Sequence, residues 1–313
     1  MKLTRVAGLT DPGRVRRRNE DAFVCEPPLF SVADGMGGAQ AGEVASRLAA
    51  ATFRDFHDAD ALDPEARLRS IIQEANRRIY ARAASDPHAS GMGTTVTAAL
   101  VTGTRVAVGH VGDSRAYRLR GGALEQLTSD HSLVAELVRS GRLTPEEAEK
   151  HPHRAVITRT VGTDQVVEVD TITLAMEEDD LYLLCSDGLT DMVSDDDVRA
   201  LGVAAAGDPG VFAATLVEAA NAGGGDDNIT VVVFEIVPDE PGGRRPPPAA
   251  AAEPEASTPD GSSHQGPVAP AHVRRWGGWC SDHLFVVPRN RLQVVLATSS
   301  VLRVSQMSSI SNI

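Results

Sequence analysis

The chain has 313 residues, 42% hydrophobic and only 4% aromatic, with a formal net charge of −13. That length allows one large domain or two ordinary ones, with a core built chiefly from small aliphatic residues. The acidic balance argues against nucleic acid as a partner, and no stretch approaches the ~20 apolar residues of a membrane span. Cys25, Cys185 and Cys280 are scattered and form no Cys-x-x-Cys pair. This argues against a disulfide framework or a structural zinc site and suits a reducing, cytoplasmic setting. Residues 1–10 carry no apolar signal core.

In chain order, residues 1–30 read as two short strands around a turn at Asp11-Pro12-Gly13. A charged run follows, in which Arg14, Arg16, Arg17 and Arg18 stand just ahead of Asn19-Glu20-Asp21. The β-prone run Phe30-Ser31-Val32-Ala33 then ends on Asp34-Gly35-Met36-Gly37-Gly38. A strand that ends in a carboxylate holds the acid rigidly at the rim of a sheet. A glycine directly after it lets the backbone carbonyl approach an ion. The bland alternative is an Asp-Gly hairpin turn.

Residues 41–56 have helical composition, and a second helix is predicted from Asp63-Pro64, which reads as N-cap and first helical position. In that helix Leu68, Ile71, Ile72, Ala75 and Ile79 recur at helical spacing, a core-facing stripe. Strands are predicted over 94–101 and 105–111, the second ending in Gly112-Asp113-Ser114-Arg115, and again over 116–119. Residues 128–156 change character, with helical pieces at 132–140 and 144–150 joined by polar loops. Such an insertion reads as a flap over a site, and its His131, His151 and His153 read as surface residues. The run 180–191 repeats the earlier design, with apolar residues leading into Ser186-Asp187-Gly188 and Asp191 close behind. Helices at 194–206 and 209–222 precede Gly225-Asp226-Asp227-Asn228, which leads straight into a strand over 229–234.

The folded domain is expected to span 1–237. Residues 238–272 are rich in Pro and Ala and read as a disordered linker. Residues 273–313 have no clear period and form a tail without assigned structure. Residues 1–237 hold 37 acids against 23 bases, so the acidic excess of −14 lies in the domain.

Asp34, Asp113, Asp187, Asp191 and Asp227, with Glu20 and Asp21, all stand beside glycine or at strand ends. Like charges gathered this way are costly unless cations neutralise them. An all-oxygen donor set points to Mg²⁺ or Mn²⁺. Two such ions can lower the pKa of a shared water and clamp an in-line displacement at phosphorus. An arginine nearby would grip the phosphate bidentately.

The series resembles the bacterial branch of the metal-dependent Ser/Thr protein phosphatases, the type 2C or PPM family. The matching segments are Arg16 with Asn19-Glu20-Asp21, the run 32–38, Gly93-Thr94-Thr95, the run 111–115, Ser186-Asp187-Gly188 and the run 225–230. The resemblance implies an α+β fold, a sandwich of two antiparallel sheets flanked by helices on both faces. It implies that Asp34 bridges two metals, that the Gly35 carbonyl binds one, and that Asp187 and Asp227 bind the other. Glu20 and Asp21 would hold water around the ions, Arg16 would clamp the substrate phosphate, and Asp113 with Asp187 or Asp191 would form a third, weaker metal site. Asp191 could equally serve as a helix cap, and Thr94 and Thr95 read as strand residues.

Substrates would be phosphorylated proteins, with a Ser/Thr kinase as counterpart and a monomer as the working state. Eukaryotic members often carry a His after the Asp-Gly pair as general acid, where this chain has Met36. The proton for the leaving alkoxide must then come from water or another group, with His131 and His153 as weaker candidates. A non-catalytic binding protein of the same family would have lost a metal aspartate, and none is lost.

Overall fold

Alternation along the strands divides the apolar residues among three layers. In β12 (Ile229–Val237) the residues Ile229, Val231 and Val233 face one way, while Val232, Phe234 and Ile236 face the other. The same split occurs in β11 (Leu181–Cys185), with Leu181, Leu183 and Cys185 against Tyr182 and Leu184, and in β3 (Leu29–Ala33), with Leu29 and Ala33 against Phe30 and Val32. Period-two strands buried on both faces must lie between other layers.

The computed structural model describes residues 2–37, 41–55, 63–237 and 293–298, and all these elements belong to one compact unit. Its further strands are β1 (Lys2–Asp11), β2 (Ala22–Glu26), β4 (Gly35–Met36), β5 (Gly93–Thr94), β6 (Val96–Thr102), β7 (Arg105–Val111), β8 (Arg115–Arg120), β9 (Ala123–Gln126), β10 (Asp170–Ala175) and β13 (Gln293–Thr298). One sheet has the order β13-β1-β12-β11-β8-β9 and the other β10-β7-β6-β3-β2. Every pairing is antiparallel.

The sheets meet where Phe30 stacks on Phe234 at 4.3 Å, while within the six-stranded sheet Tyr182 stacks on its register partner Phe234 at 5.0 Å. In a chain with so few aromatics, these rings supply much of the bulk between the sheets. Helices α1 (Ala41–Asp55) and α2 (Pro64–Ser85) cover the five-stranded sheet, where all five predicted stripe residues of α2 are fully buried. Short helices α3 (Leu133–Arg139) and α4 (Pro145–Glu149) lie between β9 and β10, and α5 (Asp187–Thr190) follows β11. Helices α6 (Asp195–Ala204) and α7 (Pro209–Gly223) cover the six-stranded sheet, with Phe212 and Leu216 inward. This is the predicted arrangement of two antiparallel sheets with helices outside.

Several local expectations change. The strands on either side of Asp11-Pro12-Gly13 do not form a hairpin, since β1 belongs to one sheet and β2 to the other. Pro64 opens α2 as predicted, yet the Asp63 side chain makes no capping bond. Strands β9 and β10 lie at sheet edges, β9 mostly exposed and β10 half-exposed, so neither carries the buried apolar run by which a sequence marks a strand. The tail contributes β13, which pairs with β1 from Arg5↔Thr298 to Thr10↔Gln293. Gly38, Phe56, the linker 238–272, Cys280 and the rest of the tail lie outside the described residues. Among the described residues no helix is long and apolar enough to cross a membrane.

Antiparallel register decides where the acids go. The end of β1 faces the start of β12 at Asp11↔Ile229, and the end of β11 faces the start of β8 at Cys185↔Arg115. In the other sheet the start of β2 faces the end of β3 at Ala22↔Ala33, and Val96 pairs with Val111 at the end of β7. Asp21, Asp34, Asp113, Asp187 and Asp227 each sit within two residues of one of these ends, so one rim of the sandwich collects them all.

Candidate active site

Asp34 lies between β3 and β4, and its backbone is held on both sides. Its N–H donates to Thr95 Oγ1 at 3.0 Å, and its carbonyl accepts from the Thr95 N–H at 2.8 Å and from Thr94 Oγ1 at 2.7 Å. Gly35 and Met36 continue as a second short ladder on Thr94 and Gly93. Asp34-Gly35 is therefore a link between strands and not a hairpin turn. Thr94 and Thr95, read from the sequence as strand residues, are what fixes this carboxylate in space.

Around Asp34 the other acids converge. Its carboxyl group is within hydrogen-bonding reach of Asp187 and close to Asp21 and Asp113. Burial, followed by the charges of Asp21 and Asp187, holds the Asp34 carboxyl well above the usual carboxylate range. Burial likewise pushes Asp113 up to about 8, reinforced by Asp187 and Asp130. Asp21 rises to about 7 through burial, against hydrogen bonds from Thr230 and Ser186 that favour its charge. Asp187 rises to about 6 by burial, opposed by its bond with Asp34 and helped by Asp191 and Asp227.

Such a cluster is unfavourable with no cation present, and the donor atoms suit one. Asp21 Oδ1, Asp113 Oδ1 and Asp187 Oδ1 are buried with no hydrogen-bond partner. Orphaned anionic oxygens are what a divalent cation satisfies. A backbone oxygen and one further acid also converge nearby. A Cβ added at Gly42 would sit 2.4 Å from Glu20 Oε2 and 2.6 Å from the Gly35 carbonyl oxygen. Only glycine leaves that space open at the start of α1. Among the described residues no three His, Cys, Asp or Glu side chains form a ready-made metal cage. Sparse carboxylates with a backbone carbonyl fit an ion that keeps several of its waters, as Mg²⁺ does.

Comparison with known proteins decides the family. Residues 16–218 match the model of protein phosphatase 2C. The chain belongs to the protein phosphatase 2C family. It is 44% identical over 200 residues to the serine/threonine phosphatase stp of Listeria monocytogenes, covering 61% of this chain and 79% of that protein. It is equally similar to the serine/threonine protein phosphatase PstP of Mycobacterium tuberculosis, over 63% of this chain but only 38% of that longer protein. The crystal structure of the M. tuberculosis PstP/Ppp phosphatase superposes with a TM-score of 0.71 at 42% identity, covering 75% of this chain and all of that one. The PstP catalytic domain in complex with two manganese ions superposes at 0.69 with the same identity, over 75% of this chain and 99% of that one.

In this phosphatase Arg16 reaches the acidic rim directly. Its Nη2 donates to Asp227 Oδ2 at 2.7 Å, with the Arg16 side chain 56% exposed. An ion pair that open contributes little, so a cation on Asp227 or a phosphate on Arg16 can displace it. The other Asp227 oxygen accepts from the Asn228 N–H at 2.8 Å.

Asn228 is a positioning residue that sequence reading missed. Its Oδ1 accepts from the Glu20 N–H at 2.7 Å, and its Nδ2 donates to the carbonyls of Arg18 at 2.8 Å and Pro12 at 3.1 Å. One buried side chain thus ties the Arg16–Asp21 loop to the start of β12. Asn228→Ala would leave three backbone groups without their partner. We expect it to cost about 2–4 kcal/mol in urea unfolding; a loss under about 1 kcal/mol would mean that water replaces the amide.

Two expectations are corrected. His131 is not a surface residue; it is 3% exposed and stacks on His110 at 4.8 Å. Its Nδ1 accepts from the Gly112 N–H at 3.0 Å, and its Nε2 faces Asp170 at 3.2 Å. Both ring nitrogens are engaged, Nε2 also by Arg159 Nη1 at 3.0 Å, so His131 braces the loop before Asp113 against β10. Asp191 does not cap α6, because Ser194 does so with a bond from the Asp197 N–H. Asp191 follows the short helix α5 (Asp187–Thr190), exposed and electrostatically coupled to Asp187 and Asp113. His153 is exposed on the flap.

Proposed function

We propose that this chain hydrolyses phosphoserine and phosphothreonine esters of proteins at a pair of Mn²⁺ or Mg²⁺ ions held by Asp34, the Gly35 carbonyl, Asp187 and Asp227. The observation that carries the reading is the set of orphaned carboxylate oxygens on Asp21, Asp113 and Asp187 around the clamped Asp34. When bound, the ions lower the pKa of water and neutralise charge on the phosphoryl group. Asp113, with Asp187 or Asp191, offers a third and weaker site. Arg16 leaves Asp227 to grip two phosphate oxygens with its planar fork. Glu20 and Asp21 orient the surrounding water. Met36 cannot donate a proton, so the leaving oxygen takes one from water.

The catalytic unit comprises residues 1–237, followed by a linker over 238–272 and a tail over 273–313. It acts as a monomer in the cytoplasm, opposite a Ser/Thr protein kinase of the same cell. The family match over residues 16–218 and the relatives' phosphatase activity support this reading. The direct test is phosphate release from a phosphothreonine peptide in Mn²⁺, Mg²⁺ and EDTA. Turnover in either metal and none in EDTA is expected. A folded chain that binds Mn²⁺ without releasing phosphate from this or a phosphoserine peptide would be a binding protein instead.

A further inference from the structure

Three consecutive arginines are out of place in a domain of charge −14, and only the first has a task in the proposed reaction. Arg16, Arg17 and Arg18, with Glu20 and Asn228, line an open pocket of about 220 Å³. The loop that carries them is anchored at many points. The N–H groups of Arg14 and Val15 donate to the Gly225 carbonyl at 2.7 and 3.3 Å, and Arg14 Nε donates to the Asn221 carbonyl at 3.0 Å. Asn228 holds the backbone at Pro12, Arg18 and Glu20. Asn19 Nδ2 donates to Thr10 Oγ1 at 2.7 Å, and Asn19 Oδ1 accepts from the Asp21 N–H at 3.1 Å. A run tied down this way presents its cations with little ordering cost on binding.

The charge balance indicates what the pocket takes. Three arginines and one acid, Glu20, line it; Arg16 is already paired with Asp227, and Arg17 and Arg18 are exposed beside it. A phosphomonoester brings about −1.5 to −2, and Arg16 is committed to the scissile one. Arg17 and Arg18 line the same pocket beside it and belong to neither the acidic cluster nor the sheet core. Guanidinium forks match oxyanions, phosphate and carboxylate alike.

We propose that Arg17, beside Arg18, forms an anion subsite for a second oxyanion on the same substrate segment, so that multiply phosphorylated or acid-flanked phosphoprotein segments are preferred. The inference rests on the phosphatase reading for its catalytic consequence, while its binding consequence stands independently.

Three peptides of one sequence test it: one with a single phosphothreonine, one with a glutamate nearby, and one with a second phosphoserine at that position. Full-length wild type, Arg17→Gln and Arg17→Lys are compared in two assays. These are kcat/KM in Mn²⁺ and, by fluorescence anisotropy, peptide binding to EDTA-treated protein. The wild type should favour at least one doubly anionic peptide over the single phosphothreonine by about five- to tenfold, through KM. Arg17→Gln should reduce that ratio to about twofold or less, with Arg17→Lys between. A preference for the phosphoserine peptide alone assigns the subsite to phosphate, and one shared with the glutamate peptide assigns it to oxyanions in general. If no peptide is turned over while the Arg17-dependent binding ratio persists, the phosphatase reading fails and the subsite stands. A wild-type ratio near one, or a ratio unchanged by Arg17→Gln in both assays, overturns the proposal.

Discussion

Asp34→Asn and Asp227→Asn should each lower metal-dependent release of phosphate from a phosphothreonine peptide by at least about 10³-fold. Asparagine keeps the size and one acceptor oxygen but removes the charge that a divalent ion needs. The Asp34 backbone is held by Thr94 and Thr95 and not by its own carboxylate, so the variant keeps its fold. Without metal the variant should even be more stable than the wild type. Burial and the neighbouring acids hold the wild-type Asp34 carboxyl well above its usual range, a folding cost that an uncharged amide does not carry. The pairing of lost activity with a raised melting temperature in EDTA distinguishes a metal ligand from a structural residue. Substantial activity in Asp34→Asn would remove Asp34 from the site.

The second large effect is on stability against pH. Asp187, Asp21 and Asp113 titrate at about 6, 7 and 8 in the folded chain, each above the ordinary aspartate value of 3.8. The native state then binds more protons than the unfolded one between those limits. The stability these groups contribute is present at low pH and is lost as pH rises through their folded values. Two buried histidines act in the opposite sense. His110 is pushed down to about 3 by burial and by His131, and His131 is also lowered by burial. They cost stability as pH falls below 6.5, so the window from pH 6.5 to 8.5 isolates the carboxylates. In EDTA the melting temperature should fall across that window by at least roughly 5 °C. In saturating Mn²⁺ the slope should flatten, because the cation takes the place of the protons. A flat profile in EDTA would mean that the acidic cluster is already compensated.

The acids that dominate both predictions are legible because their signal is local. A strand that runs into Asp-Gly needs no knowledge of the rest of the chain to place its carboxylate at a sheet rim, and Asp34 and Asp187 obey that rule. The same holds for the buried stripe of α2, whose period is written in consecutive turns. Which rim the acids share is a matter of antiparallel register between β1 and β12, or β11 and β8, and so lies beyond any local window.

The supporting residues were illegible for a related reason. Asn228 acts on backbone groups 208 to 216 positions away, and Thr95 acts on Asp34 across 61. An asparagine in a glycine-rich turn and a threonine near a strand have ordinary local meanings that conceal such bonds. His131 looked exposed because it sits in a polar run. It is buried because the edge strand β10 brings Asp170 against it and Gly112 donates to its ring. By itself, then, the sequence determined the chemical character of the site: oxygen donors, an arginine and strand-end placement, each set by neighbours in the chain. Tertiary structure alone decided the raised pKa values, the orphaned oxygens and the bracing of the loops. Those depend on charges and hydrogen-bond partners that only strand register brings within reach.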